Sequence, residues 1–321
     1  MSDDNEQASQ DKPKDKPTEP EKSKGSVDKR GIWTVVVIFG GLFVMLLIFS
    51  VVMMSAFGDD SAFGGAANQV GVIEVTGPIM ESKKTVQDLR KFVDRDDIKG
   101  IVVRVDSPGG AVAPSQEIFQ AVQRASDKKP VVVSMGSTAA SGGYYIALGS
   151  EHIIANSGTV TGSIGVISQL FNVEGLLEHI DVEVNTVKTG KYKDAGSPFR
   201  EFGPEDRAYF AELLDDIYLQ FIEDVAKARD MELDEVRELA DGRVFTGRQA
   251  KEYGLVDELC TFQDSVDWVK DKAKIKGRAE LVYPAKEDLG FLSTLIEGAS
   301  KTAVREVKSQ HSPVFEYRMS P

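Results

Sequence analysis

GIVVRVDSPGG, residues 100–110, decides the fold. Ile101, Val102, Val103 and Val105 make a short apolar run rich in β-branched side chains. The run ends at Asp106 in a cluster of turn formers, Ser107, Pro108, Gly109 and Gly110. A stretch of this length and bounding predicts a strand followed by a sharp turn. Upstream, residues 70–75 form a similar short strand pattern. Between the two, Thr85 to Val93 is amphipathic, with Val86, Leu89, Phe92 and Val93 on one face. Downstream, Ile118, Ala121, Val122 and Ala125 recur at helical spacing, and PVVVSM at 130–135 gives a third strand. Strands that alternate with helices predict parallel βαβ units and an α/β fold. A long helix is expected from about Glu205 to Arg229, burying Phe210, Leu213, Leu214, Ile217 and Phe221. No internal repeat is present.

The ends of the chain read differently. Residues 1–30 are rich in Lys, Asp, Glu, Pro and Ser and lack aromatics, a composition that cannot bury a core. From Ile32 to Phe57 there is no charged residue. A helix needs about 20 apolar residues to cross the hydrocarbon core, so 31–57 is expected to span a lipid bilayer. A cleaved leader would have a shorter apolar stretch and would begin earlier. Lys22, Lys24, Lys29 and Arg30 precede the span, while Asp59 and Asp60 follow it. Basic flanks stay in the cytoplasm, so the chain should be single-pass with everything after residue 58 outside the inner membrane. Residues 58–68 read as a Gly-, Ala- and Ser-rich linker, 69–290 as the folded domain, and 291–321 as a C-terminal helix or tail.

Composition removes several function classes. Lys plus Arg total 38 against 51 Asp plus Glu, a formal net charge of -13. Nucleic acid binding needs a basic face, so none is expected. The single cysteine, Cys260, cannot form a disulfide within the chain and argues against a thiolate metal site; it reads as a small apolar residue beside Leu259. No metal or cofactor is expected. Histidines are only three, His152, His179 and His311; the first two sit beside apolar strand or helix residues and read as bystanders.

The chemistry therefore rests on serines and lysines. The SPGG turn at 107–110 leaves amides unshielded, and such amides can hold an oxyanion, although a plain strand-to-helix turn would look the same. AASGGYY at 139–145 follows the third strand after a short loop. Ser141 there sits at the mouth of a helix among small residues, accessible to a substrate carbonyl, and its own amide or that of Gly142 could serve the oxyanion. A helix N-cap is the plainer reading of that serine. Gly-x-Ser-x-Gly is absent, so this is not a nucleophile elbow. TGSIG at 161–165 and KTGKYKD at 188–194 follow. A serine needs a base, and without a suitable histidine a lysine can serve. Such a lysine must lose about 3 pKa units, which costs about 4 kcal/mol. Lys188, Lys191 and Lys193 are near enough in sequence to repel one another, and spacing alone does not choose between Lys191 and Lys193; any of them would ordinarily be a solvated surface charge. Farther on, Thr246 and Gln249 have capping-box spacing and Gly254 sits where a helix would stop.

Taken together, SPGG at 107–110, ASGGYY at 140–145, TGSIGV at 161–166, GKYKDAGSP at 190–198 and DGRVFTG at 241–247 resemble the signal peptide peptidase A family, the protease IV type of serine peptidase. The resemblance covers roughly residues 69–290 and has one set of motifs, as in the short, single-copy form. It implies a ClpP/crotonase-like spiral of ββα units, preceded here by one transmembrane helix. It implies Ser141 as nucleophile, Lys193 as general base, Ser163 as the hydroxyl that orients that lysine, and Gly110 as an oxyanion donor, with Gly109 and Gly142 supporting. It also implies a membrane serine endopeptidase that cuts remnant signal peptides and assembles as a homo-oligomer. A crotonase-like acyl-CoA enzyme would need neither the serine, the lysine nor an anchor. A nonenzymatic peptide-binding scaffold would have no use for an intact pair.

Overall fold

The computed structural model describes residues 38–50, 68–285 and 316–318. The expected segment 1–30, the flanks 31–37 and 51–57 of the expected span, linker residues 58–67 and the stretches 286–315 and 319–321 lie outside the described residues. Helix α1 covers 38–50 and is exposed throughout. It belongs to a unit of its own, Met1–Gly65; the elements below belong to Ala66–Pro321. Among the described residues no helix is long and apolar enough to cross a membrane.

Three parallel strands carry the second unit: β1 (Gln69–Thr76), β2 (Ile98–Ser107) and β4 (Val131–Ala140). Helices α2 (Lys83–Asp94) and α3 (Val112–Ser126) make the crossovers, and a short β3 (Gly109–Ala111) lies between β2 and α3. Ile101, Val102, Val103 and Val105 of β2 are all fully buried. Successive strand residues face opposite sides, so a run buried on both sides must be covered twice. Ile101, Val103 and Val105 join Leu89, Phe92, Ile118 and Val122 beneath α2 and α3. Val102 turns the other way with Val70, Val132 and Ile154, beneath Val266 and Val269 of α9 (Phe262–Lys272).

The third strand is longer than the sequence pattern suggests. Its start pairs with β2 and β5 (His152–Ala155), and its last residues pair with β6 (Val160–Gly162), Ala140 opposite Gly162. The Asp106 carboxylate accepts the Thr138 N–H at 3.0 Å and carries β4 past a register shift in β2. No loop then separates the strand from Ser141. The mixed sheet runs β7-β6-β4-β2-β1-β9, with β7 (Val244–Thr246) antiparallel to β6 and β9 (Glu280–Val282) parallel to β1. β8 (Glu258–Leu259) extends β5, and β10 (Glu316–Arg318) pairs with β3 in a second, two-stranded sheet.

The remaining helices are α4 (Gly142–Ala147), α5 (Glu174–His179), α6 (Pro204–Arg229), α7 (Leu233–Leu239) and α8 (Gly247–Glu252). α8 starts on the expected capping box: Thr246 Oγ1 accepts the Gln249 N–H and Gln249 Oε1 accepts the Thr246 N–H. α6 departs from expectation in its middle. Phe210 and Phe221 are buried, but Leu213, Leu214 and Ile217 are only half-buried. The buried stripe concentrates toward the C-terminal end, in Phe221, Ile222 and Val225, where Phe221 packs on Tyr145 at 4.8 Å between ring centroids.

Candidate active site

β4 delivers Ser141 into a constrained position. Its φ is 52° and ψ is -115°, where a side chain is disfavoured. Such backbone costs about 1–3 kcal/mol and persists only where the surroundings impose it. The imposing contact is local: the Ser141 N–H donates to the Gly162 carbonyl at 2.7 Å, continuing the β4–β6 pairing. That amide is committed and does not serve an oxyanion, contrary to one reading of the sequence. The hydroxyl makes no capping bond, so the N-cap reading fails as well. Instead Ser141 is 1% exposed, not open as expected, and its Oγ is buried with no hydrogen-bond partner. A buried hydroxyl left unpaired costs about 1–3 kcal/mol, and such exceptions call for an explanation.

The SPGG turn is pressed against the start of α4. A Cβ on Gly143 would lie 2.9 Å from the Ser107 carbonyl oxygen, so glycine permits the contact. Ser107 Oγ donates to the Gly77 carbonyl at 2.7 Å and accepts the Gly109 N–H at 3.1 Å, which commits the Gly109 amide too. Ile79 brackets Gly110: its N–H donates to the Gly109 carbonyl at 2.9 Å, and its carbonyl accepts the Ala111 N–H at 2.8 Å. A Cβ on Gly110 would sit 2.2 Å from the Ile79 oxygen, which no backbone shift of that size accommodates cheaply. Peptide groups alternate along a strand, so Gly110's own N–H and C=O face the opposite edge of β3. Gly142, as the first residue of α4, has no helical acceptor for its N–H. The Gly142 N–H is thus left without a helical acceptor, the Gly110 N–H faces the edge paired with β10, and the Gly109 N–H is committed to Ser107.

TGSIG lies alongside. Thr161 Oγ1 donates to the Ala139 carbonyl at 2.6 Å, holding β6 on β4. Ser163 also has a positive φ, 50°, and its N–H donates to the Arg243 carbonyl at 2.8 Å. It is 7% exposed and lines a cavity of about 540 Å³ with Ile167, Leu214, Tyr218 and Asp241.

The lysines are sorted by their partners. Lys188 pairs with Asp194 at 2.5 Å and Lys191 with Glu205 at 2.9 Å. Lys193 is exposed and has no ion pair or hydrogen bond among the described residues. Arg200 bridges Asp194 at 3.0 Å and Asp206 at 2.5 Å, fastening the lysine segment to the start of α6. Arg200, with Lys188, holds the Asp194 carboxyl down at about 2. Glu205 raises the Lys191 ammonium above its ordinary value. The expected mutual repulsion among the three lysines is therefore weakened, because two carry counter-charges.

Among the described residues Ser141 Oγ has no hydrogen-bond partner, so it makes no bond to Lys193. The segment that carries it, residues 167–203, has only α5 as regular structure, and α5 buries nothing. Phe171, Leu176, Ile180, Val187 and Phe199 on it are exposed, Val187 completely. Outside the lysine motif at 188–198, sequence reasoning read no structure in this segment, whose scattered apolar residues show no period.

His152 stacks on Trp268 with centroids 4.9 Å apart, beside Glu258 and Asp257. His179 ends α5, and His311 lies outside the described residues. Cys260 packs against the Val70 cluster, and burial raises its thiol. Among the described residues no group of His, Cys, Asp and Glu could hold a metal ion.

The chain is similar to known proteins along most of the second unit. Residues 123–276 match peptidase family S49, and residues 65–161 match the Clp protease family. A Synechocystis sp. protein named as a protease is 47% identical over 201 residues, covering 62% of this chain and 73% of that one. Protease 4 of Haemophilus influenzae is 30% identical over 257 residues, 75% of this chain but 41% of its own length. The chloroplastic serine protease SPPA of Arabidopsis thaliana is 33% identical over 214 residues, 66% of this chain and 32% of its own. Among solved structures, ClpP1 of Listeria monocytogenes aligns with a TM-score of 0.42 at 16% identity, covering 61% of this chain and 94% of that chain.

Proposed function

Since the chain belongs to peptidase family S49 and is a serine protease, we propose that Ser141 is its nucleophile and Lys193 its general base. One observation carries this reading: each candidate group lacks the partner that the other would be. Ser141 Oγ is the buried hydroxyl without a bond, and Lys193 is the lysine of its cluster without a counter-charge. Glu205 stabilises the Lys191 ammonium, and Lys188 is tied to Asp194. In the proposed reaction, neutral Lys193 takes the Oγ proton as Ser141 attacks the scissile carbonyl. The Gly110 and Gly142 N–H groups face the developing oxyanion. The protonated lysine then hands its proton to the leaving amine, and water repeats the sequence on the acyl-enzyme. Ser163 positions the lysine from its place beside Gly162.

The partner copy supplies Lys193 in this proposal. The exposed apolar residues of 167–203 fit a protein surface, and large exposed apolar patches mark interaction sites. A second copy on that face would desolvate the lysine, which lowers its pKa, and would bring it to the buried serine. Substrates bind extended along the edge of β3, where main-chain pairing gives affinity. The relative from Enterococcus faecium is named as a signal peptide peptidase, and we extend that substrate class, remnant signal peptides, to this chain. The uncharged stretch 32–57 with its basic and acidic flanks supports a single-pass anchor in the inner membrane, with the protease domain outside the cytoplasm.

The test is kcat/KM on a small peptide ester. Lys193→Arg stays charged at every usable pH, so it should be nearly inactive although it preserves charge. Ser141→Ala should be equally inactive, and the double variant no worse, because the two act as a unit. Ser163→Ala should lose less. Near-full turnover by Lys193→Arg, with circular dichroism showing a folded chain, would dispose of the assignment.

A further inference from the structure

Ser141 follows a strand that has a different turn on each side. On one side Ala139 pairs with Ser107 of β2, where the SPGG turn begins. On the other, Ala140 pairs with Gly162 of β6, and Ser163 comes next. A peptide that crosses Ser141 therefore has one half toward the SPGG turn and the other toward Ser163. Reaction chemistry tells the halves apart. The carbonyl half belongs with the oxyanion donors, on the SPGG side. The departing amine takes its proton from the lysine that Ser163 positions in the proposed reaction. The half that leaves with the amine thus runs past Ser163, where the cavity of about 540 Å³ opens. Ligand sites commonly have volumes of about 300–1,000 Å³.

The cavity wall is apolar with a charged rim. Ile167 lines it with Leu214 and Tyr218 of α6, all three half-buried. Two carboxylates also border it, Asp215 and Asp241. Asp241 is already paired with Arg243, which holds its carboxyl down at about 2. Asp215 is exposed and has no ion pair among the described residues. A long cationic side chain matches this combination, since its methylene stem covers apolar wall while its charged head meets a carboxylate. We propose that the cavity receives a Lys or Arg side chain from the leaving half of the substrate, and that Asp215 selects it. The proposal rests on the reading of Ser141 and Lys193 as the reacting pair, and it narrows the substrate class to peptides with a basic residue shortly after the scissile bond.

The test uses the full chain and quenched fluorescent peptides that share one acyl half. They differ only in Lys or Glu at the first, second or third position of the leaving half, and mass spectrometry of the fragments fixes the cut. At one of these positions kcat/KM should favour Lys about fivefold, the upper end for an exposed ion pair. Asp215→Asn should bring the ratio near one, and Asp215→Lys should reverse it. Glu223→Lys makes the same charge change about two turns along α6, outside this cavity, and should keep the Lys preference. That comparison separates the site from the acidity of the whole chain, whose net charge is -13. A ratio near one at all three positions, or a Lys preference that survives Asp215→Lys, would overturn the inference. The same peptides are titrated by fluorescence anisotropy against chains carrying Ser141→Ala, with and without Asp215→Lys, and this binding ratio decides if no peptide is cut. A Lys preference in binding that Asp215→Lys reverses, without hydrolysis by any Ser141 chain, would sink the reacting pair and leave the cavity assignment standing. Hydrolysis that Ser141→Ala and Lys193→Arg abolish, but that ignores the charge, would do the reverse.

Discussion

Two inactive chains, mixed, test whether nucleophile and base come from different copies. One chain carries Ser141→Ala, the other Lys193→Ala. Both changes should leave the fold intact. The first removes a hydroxyl that has no partner, and the second trims an exposed side chain with no ion pair. Alone, each chain should be inactive. In a closed homo-oligomer assembled at random, a working site needs an intact Ser141 from one copy and an intact Lys193 from its neighbour. At equal amounts those chances are a half and a half, so activity should reach about a quarter of wild type. It should follow x(1−x) as the mole fraction x varies. The physical basis is the separation seen in the single chain, where Ser141 is 1% exposed and Lys193 sits on an exposed segment. The assay is the initial rate on a peptide ester after the two chains are exchanged in detergent, with light scattering and tagged pull-down to establish mixing. Zero activity at every ratio, with mixing established, would show that each chain closes its own dyad. A monomer active alone would end the argument entirely.

Other outcomes follow from particular contacts. Phe221 is fully buried against Tyr145, so Phe221→Ala should cost about 3–5 kcal/mol and lower Tm by roughly 10 °C; an unchanged melting curve would contradict the packing. Asp194 has its folded pKa lowered to about 2, against an ordinary value near 3.9, so its contribution is present above about pH 4 and is lost as pH falls through 2. Hydrogen-exchange protection factors around residues 188–200, corrected for the intrinsic rate, should accordingly be level from pH 5 to 8, and Asp194→Asn at pH 7 should lower them; unchanged protection in that variant would remove the clamp from the account. Protease added to spheroplasts should digest the domain while residues 1–30 stay protected, and digestion only after lysis would reverse the proposed topology.

The legible part of the fold was the part buried on both sides. β1, β2 and the start of β4 are apolar runs of the length a covered strand needs, and α2 and α3 have a one-sided stripe. β3, β6, β7 and β10 have three residues each, too few to show a period, and exist only because neighbours pair with them. The end of β4 was read as a loop because Gly136, Ser137 and Thr138 look like turn residues, whereas Asp106 from β2 carries the strand through. Ser141, Ser163, Lys193 and the glycines were legible as motifs. Their electrostatic sorting was not: that Glu205 takes Lys191 and Asp194 takes Lys188 depends on a fold that brings α6 to the lysine segment. Nor does any residue type announce the positive φ of Ser141, which comes from the Gly162 carbonyl.

Ser141, the proposed nucleophile, directly follows a strand inside the sheet, while Lys193, the proposed base, rides on an exposed segment tied down mainly by Arg200. These two regions sit at opposite ends of the range of local stability, since few buried contacts hold the one and the whole core holds the other. Warming would therefore disarm this protein before it unfolds it. The temperature at which catalysis fades would report on the lysine segment, the melting temperature on β4, and the gap between them would measure how unevenly cohesion is spread between the two halves of one active site.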